Sequence, residues 1–168
     1  MKSVHVFSGS EAMAEEIVRR WHHSAQAAAK AKSVFSVVLS GGTTVAKVYH
    51  QLASPLWSNK IPWDIVHIFW ADERCVSPES EESNYRTICR ALLNHISIPE
   101  NNVHRIKGEN EPEKESIRYA QEIKDHMILR GRQDIFFDWV LLGVGEDGHT
   151  ASLFPDQVKF LHTSNLCE

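Results

Sequence analysis

The side chains best suited to chemistry lie at residues 141–155, LLGVGEDGHTASLFP. There an apolar run of Leu141, Leu142 and Val144 gives way within a few residues to Glu146, Asp147 and His149, on a turn containing Gly143, Gly145 and Gly148. An imidazole titrates near neutral pH, so His149 can take a proton from water and later return it. Asp147 can orient that imidazole or a bound substrate, although an i to i+2 spacing does not impose contact. No nucleophile accompanies them: Ser152 lies three residues past His149, and there is no G-x-S-x-G elbow. Water is then the attacking group.

Two other stretches have a similar character. Ser40-Gly41-Gly42-Thr43-Thr44 follows an apolar run and leads into a helical pattern. Its glycines let the backbone approach a ligand, and the free N–H groups with the positive end of the helix dipole suit a phosphate. The loop is neither G-x-G-x-x-G nor a Walker loop, so a plain turn with a threonine cap is the competing reading. In Trp70-Ala71-Asp72-Glu73-Arg74, three charges close an apolar run, and Arg74 can neutralise an anion or bond to substrate oxygens. Its competing reading is a solvated strand end with an internal ion pair. For the first stretch it is a turn whose Asp147 caps a helix while His149 sits at the surface. A metal held by Asp72, Asp147 and His149 is the weaker alternative, and the expectation is no metal. None of the ten histidines stands in H-x-x-x-H or H-E-x-x-H spacing. His22, His23 and His67 are read as surface or core residues.

The elements that position these stretches follow from periodicity. Residues 4–7, 34–39, 65–70 and 136–144 are apolar and alternate with helix-like stretches. Met13, Ile17, Trp21, Ala25 and Ala28 repeat at helical spacing after Ser10, a candidate N-cap; Val45, Val48 and Leu52 mark a second helix. Tyr85, Ile88, Leu92 and Leu93 suggest another, as do Ile117, Ala120, Ile123, Met127 and Leu129, closed near Gly131. The stretch 107–114 reads as a surface loop. Strands apolar on both faces and separated by helices predict a parallel sheet covered on both sides. The fold class is α/β: a three-layer, doubly wound, mostly parallel, Rossmann-like sheet, with residues 1–168 forming one domain. All three motifs lie just past strand carboxyl ends, so they meet at one sheet edge, where ligands bind in open α/β sheets.

With 42% hydrophobic and 24% charged residues, the composition is that of a soluble globular chain. A net charge of −4 gives no basic footprint, which argues against a nucleic-acid partner. No apolar run approaches the roughly 20 residues needed to cross a bilayer, so no membrane span is expected. Three cysteines without a C-x-x-C pair, and no apolar leader, predict free thiols and a cytoplasmic location.

In order and separation, LSGGTT, WADER-x-V, SNY and LLGVGEDGHTASLFP resemble the 6-phosphogluconolactonases, over about residues 4–155. Glucosamine-6-phosphate deaminases and isomerases share the SGG loop and the D-G-H turn, but Asp72-Glu73-Arg74 and T-A-S-L-F-P favour the lactonase. The resemblance implies a sugar-phosphate isomerase-like fold and hydrolysis of 6-phospho-D-glucono-1,5-lactone to 6-phospho-D-gluconate, in the oxidative pentose phosphate pathway, without a cofactor. It implies His149 as the base that activates water, Arg74 at the substrate, and Gly41, Gly42 and Thr43 at the phosphate. Asp147 completes the catalytic set. Ser40, Thr44, Asp72, Asn84 and Arg86 join the substrate-binding set, and Gly145 and Gly148 are candidates to give backbone N–H groups to the developing oxyanion.

Two departures stand out. Thr44-Val45 replaces a proline that many relatives have after the loop. The chain also stops soon after the D-G-H motif, whereas family members continue through a further strand, a helix and a basic residue near the phosphate. The expectation is a domain incomplete at its C-terminus, with self-association through an uncovered sheet face, instability or weakened activity as outcomes. One lost charge-assisted bond to phosphate costs on the order of 2 kcal/mol, about thirtyfold in affinity. Lys47, Arg86 and Arg105 are candidates to replace the basic residue, with Arg86 first. The rival functions are a sugar-phosphate isomerase or deaminase, and a weakly active or inactive phosphosugar-binding remnant. His162 is an expected bystander.

Overall fold

The computed structural model describes residues 3–157 and 163–168; His162 lies outside the described residues. Helices α1 (Ser10–Lys30), α2 (Thr43–Leu52), the single turn α3 (Pro55–Ser58), α4 (Asn84–Ala91) and α5 (Pro112–Leu129) alternate with strands. The strands are β1 (Phe35–Leu39), β2 (Val66–Trp70), β3 (Val103–His104) and β4 (Trp139–Val140). They form one parallel sheet in the order β3-β2-β1-β4, with Phe35 opposite Val66 and Leu39 opposite Trp70.

Strand alternation sorts the side chains into two cores. Phe35, Val37, Leu39, Val66, Ile68 and Trp70 pack with α1, α2 and α4 on one face, whereas Val38 and Phe69 meet Tyr119, Ile123 and Met127 of α5 on the other. The expected three layers are therefore present. The α5 face also carries polar groups. The Tyr119 hydroxyl accepts a bond from Trp70 N at 2.7 Å and lies 3.0 Å from Trp70 O, beyond the point where β3 stops pairing at His104.

Several expectations are corrected. Residues 4–7 form no strand: Val4 and Val6 are each 91% exposed. A run apolar on both sides becomes a strand only where it is paired and both faces are covered, and the segment 4–7 is neither, while the edge strand β4 leaves its own Val140 53% exposed. The expected strand 136–144 shrinks to Trp139–Val140, and β3 is a strand the periodicity did not mark. Helix α1 begins at Ser10 with Gly9 at the N-cap and no side-chain cap, because Ser10 Oγ accepts from Lys47 Nζ at 2.8 Å instead. Its most buried positions are Ala14, Val18, Trp21 and Ala25, one residue on from Met13 and Ile17 at the start of the stripe. In α5, Ile117 and Leu129 point outward while Glu115 and His126 are buried.

Candidate active site

The carboxyl ends of β1, β2 and β4 open onto a cavity of about 400 Å³. The loop after β1 lines it with residues 40–45, the segment after β2 with Asp72 and Arg74, and α4 with Asn84. The turn after β4 contributes Gly143, Val144, Gly145, Glu146, His149 and Ala151.

The loop after β1 is shaped by its glycines. Gly42 has φ +117°, a conformation side chains disfavour, and a Cβ on Gly41 would stand 2.0 Å from Asn84 Oδ1. Helix α2 starts without a side-chain cap, and its first backbone bond runs from Ala46 N to Gly42 O at 3.1 Å. The N–H groups of Thr43, Thr44 and Val45 therefore lack helical acceptors and border the cavity with the positive end of the dipole. Ser40 is 2% exposed, and its hydroxyl has no hydrogen-bond partner among the described residues. A buried orphan hydroxyl at a cavity wall is a group awaiting a ligand or water.

The segment after β2 holds its charges apart. Glu73 does not pair with the Arg74 guanidinium, as the ion-pair reading required. It accepts from Arg74 N (2.8 Å), Asn84 N (2.7 Å), Tyr85 N (2.8 Å) and Ser83 Oγ (3.1 Å), tying the start of α4 to β2. Asn84 Nδ2 in turn donates to Asp72 O at 3.1 Å, and Asp72 Oδ2 accepts from Ser152 Oγ at 2.7 Å, closing this segment against the turn after β4. The Arg74 side chain is exposed at the cavity and has no side-chain partner among the described residues. Arg86 does not line the cavity, contrary to expectation, because its guanidinium pairs with Glu81 at 2.7 Å. Lys47 and Arg105 are likewise engaged, by Glu11 at 2.7 Å and Glu109 at 2.6 Å. Arg74 is thus the uncommitted cation of the site among the described residues.

In the turn after β4 the doubtful contact is made: His149 Nδ1 lies 2.5 Å from Asp147 Oδ1, which also accepts from His149 N at 3.1 Å. The backbone N–H and the imidazole of His149 together hold the Asp147 carboxyl below the usual carboxylate range. A carboxylate at Nδ1 makes that nitrogen the donor and leaves the Nε2 lone pair available, the tautomer a general base needs. Phe154 flanks the ring with centroids 4.7 Å apart. Gly145 makes room for it, since a Cβ there would lie 2.2 Å from His149 Cε1, and Gly148 turns the chain with φ +87°. Neither glycine is free to give its N–H to an oxyanion, however. Gly145 N donates to His149 O at 2.8 Å and Gly148 N to Gly145 O at 3.0 Å, so the turn consumes both, and Gly148 is absent from the cavity wall.

Asp72, Asp147 and His149 do not present a convergent metal-ligand set among the described residues. Sequence reasoning missed Glu73 as an anchor and Ser152 as the clasp on Asp72. The only signal for either was its place inside the motifs.

The sequence model of the family described as "Glucosamine-6-phosphate isomerases/6-phosphogluconolactonase" matches residues 8–167. The chain is 44% identical over 124 residues to a 6-phosphogluconolactonase of Haemophilus influenzae, a match covering 74% of this chain and 51% of that protein. It is 34% identical over 163 residues to the 6-phosphogluconolactonase of Treponema pallidum, covering 97% and 65%. The chain thus spans about half to two thirds of the length of these relatives. Among solved structures, the 6-phosphogluconolactonase of Thermotoga maritima superposes with a TM-score of 0.78 at 33% identity, over 91% of this chain and 63% of that one. A monomeric glucosamine-6-phosphate deaminase at 19% identity shares the fold, with a TM-score of 0.75. The chain belongs to the glucosamine-6-phosphate isomerase/6-phosphogluconolactonase family.

Proposed function

We propose that the cavity binds 6-phospho-D-glucono-1,5-lactone and hydrolyses it to 6-phospho-D-gluconate, and that residues 1–168 act as one lactonase-like domain. The observation that carries this reading is the His149 imidazole, held by Asp147 at 2.5 Å, lining the same cavity as the uncapped start of α2. The names of the relatives support the lactonase over the isomerase or deaminase.

The phosphate rests on the N–H groups of Thr43, Thr44 and Val45, with the Ser40 hydroxyl beneath. His149 Nε2 takes a proton from water as the oxygen attacks C1, and charge moves onto the carbonyl oxygen. Since the Gly145 and Gly148 amides are committed within the turn, Arg74 is the donor assigned to that oxyanion. Collapse of the tetrahedral centre breaks the bond from C1 to the ring oxygen, and the imidazolium returns its proton to that oxygen, giving the carboxylic acid, which ionises, and a free hydroxyl. A lactone is an activated ester, so anchoring the phosphate contributes chiefly position. No step requires a cofactor. The thiols of Cys75, Cys89 and Cys167 are unpaired, which supports a reducing, cytoplasmic setting.

The test generates the lactone in place with glucose-6-phosphate dehydrogenase and compares its disappearance with the spontaneous rate. Acceleration that is lost in His149→Ala and retained in His23→Ala, at an exposed position of α1, is the expected result. A folded chain giving no acceleration overturns the proposal.

A further inference from the structure

The α5 face of the sheet holds a group of side chains that the hydrolytic site does not use. His67 of β2, His104 of β3 and His126 of α5 each offer a ring nitrogen, and these three atoms lie within 4.8 Å of one another. His67 Nδ1 is 2.9 Å from His104 Nε2, and all three rings are in contact, with centroids 4.7 to 5.4 Å apart. Far apart in sequence, they come from two strands and the covering helix, so no H-x-x-x-H pattern announces them. The site lies toward the amino end of β2, because His67 is its second residue, whereas the hydrolytic cavity opens beyond the carboxyl end.

We propose that His67, His104 and His126 form a binding site for one divalent ion of the zinc class, with water as fourth ligand. Four-coordinate zinc at about 2.0–2.1 Å from each nitrogen sets the nitrogens roughly 3.3 Å apart, near the 2.9 Å between His67 Nδ1 and His104 Nε2 and inside the 4.8 Å that holds all three. The surrounding groups are those such a site needs. His104 Nδ1 lies 2.8 Å from Glu122 Oε1, so Nδ1–H donates to that carboxylate and Nε2 is left to the metal, the usual outer support of a ligating histidine. Ser36 Oγ, 2.7 Å from His126 Nε2, orients the ring on the helix. Arg130, the nearby cation, has its charge partly met by Asp138 at 3.1 Å. Three imidazoles with no carboxylate among the ligands favour zinc or cobalt over magnesium or calcium. Such an ion would pin α5 to β2 and β3.

The test is a cobalt(II) titration of the chelator-treated full chain. The expected result is an intense visible d–d absorption, as tetrahedral cobalt gives, saturating at one ion per chain and abolished by zinc. The band disappears in His67→Gln and His104→Gln, weakens 10- to 100-fold in affinity in Glu122→Gln, and persists in His149→Ala. Zinc at a hundredfold excess over its Kd raises Tm by roughly 5–10 °C in the unsubstituted chain. X-ray absorption of that zinc-loaded chain, which needs no variant to fold, counts three imidazoles. Absence of the cobalt band, its survival in both histidine variants, its loss in His149→Ala, or fewer than three imidazoles overturns the proposal.

Discussion

Replacing Glu73 with alanine removes a single carboxylate on which four donors converge: Arg74 N, Ser83 Oγ, Asn84 N and Tyr85 N. Two of these belong to Ser83 and Asn84, which are 1% and 7% exposed, so water reaches them poorly once the carboxylate is gone. A hydrogen bond to a charged acceptor contributes about 1.5–3 kcal/mol, and a buried donor left without one costs a similar amount. Counting only the two buried residues gives about 3–6 kcal/mol; Ser83 Oγ still caps Arg86 N at 3.2 Å, which places the expectation near the lower end, about 3 kcal/mol. For a chain of this size that lowers Tm by roughly 6–12 °C. Equilibrium urea unfolding at neutral pH measures it directly. Glu73→Gln, which keeps one carbonyl acceptor, falls between wild type and alanine. The same change reaches the site, because Asn84 holds Asp72 O at 3.1 Å and stands against Gly41. Thermal stabilisation by 6-phosphogluconate therefore shrinks in Glu73→Ala even below its lowered Tm. A stability loss under about 1 kcal/mol, or undiminished ligand stabilisation, refutes the view that Glu73 ties the β2 segment to α4.

Three further outcomes are expected. Gly145→Ala places a methyl 2.2 Å from His149 Cε1 and 2.8 Å from Asp147 Oδ1, so lactonase activity falls on the order of a hundredfold while far-UV circular dichroism is unchanged. The metal-free chain loses stability as pH falls through the window from about 6.5 to 3. His67 and His126 are held neutral with folded values of about 4 and 3, the unfolded chain binds their protons first, and the cost at pH 5 is about 2 kcal/mol for each; urea titrations of wild type and His126→Gln at pH 7 and 5 check it, the variant showing the smaller change. Val140 is 53% exposed on the edge strand, so the expected outcome is self-association, read as a sedimentation mass that rises with concentration and that Val140→Lys suppresses.

Some of this was legible in the sequence, for physical reasons. Strands β1 and β2 are buried on both faces, and such strands leave continuous apolar runs that periodicity detects. The strand-end rule then brought residues 40–44, Asp72, Arg74 and His149 together. The failures share a cause, burial or exposure decided by tertiary partners. Glu115 is buried because Lys107 N, Asn110 Nδ2 and Arg118 satisfy it, so the inward face of α5 cannot be read from apolar residues alone. Met13 and Ile17 yield the innermost positions of α1 to Ala14 and Val18, where small side chains allow close approach. Arg86 was placed by its neighbours in a motif, but its guanidinium follows Glu81, a residue outside it. The direction of the Glu73 carboxylate, toward backbone amides across the loop, has no sequence signature at all.

Tyr119 has a consequence for how the chain leaves the sheet. With hydroxyl contacts to both Trp70 N and Trp70 O, it imitates one rung of a strand ladder and offers no next rung. A phenol of the covering helix α5 thus fills the edge of β2 that β3 leaves at His104, just before the path carrying Asp72 to Arg74, while the β1 edge still pairs through Ala71 N and Leu39 O at 2.7 Å. That contact comes from a helix that lines no part of the cavity, so Tyr119→Phe frees Trp70 N without altering a residue of the site.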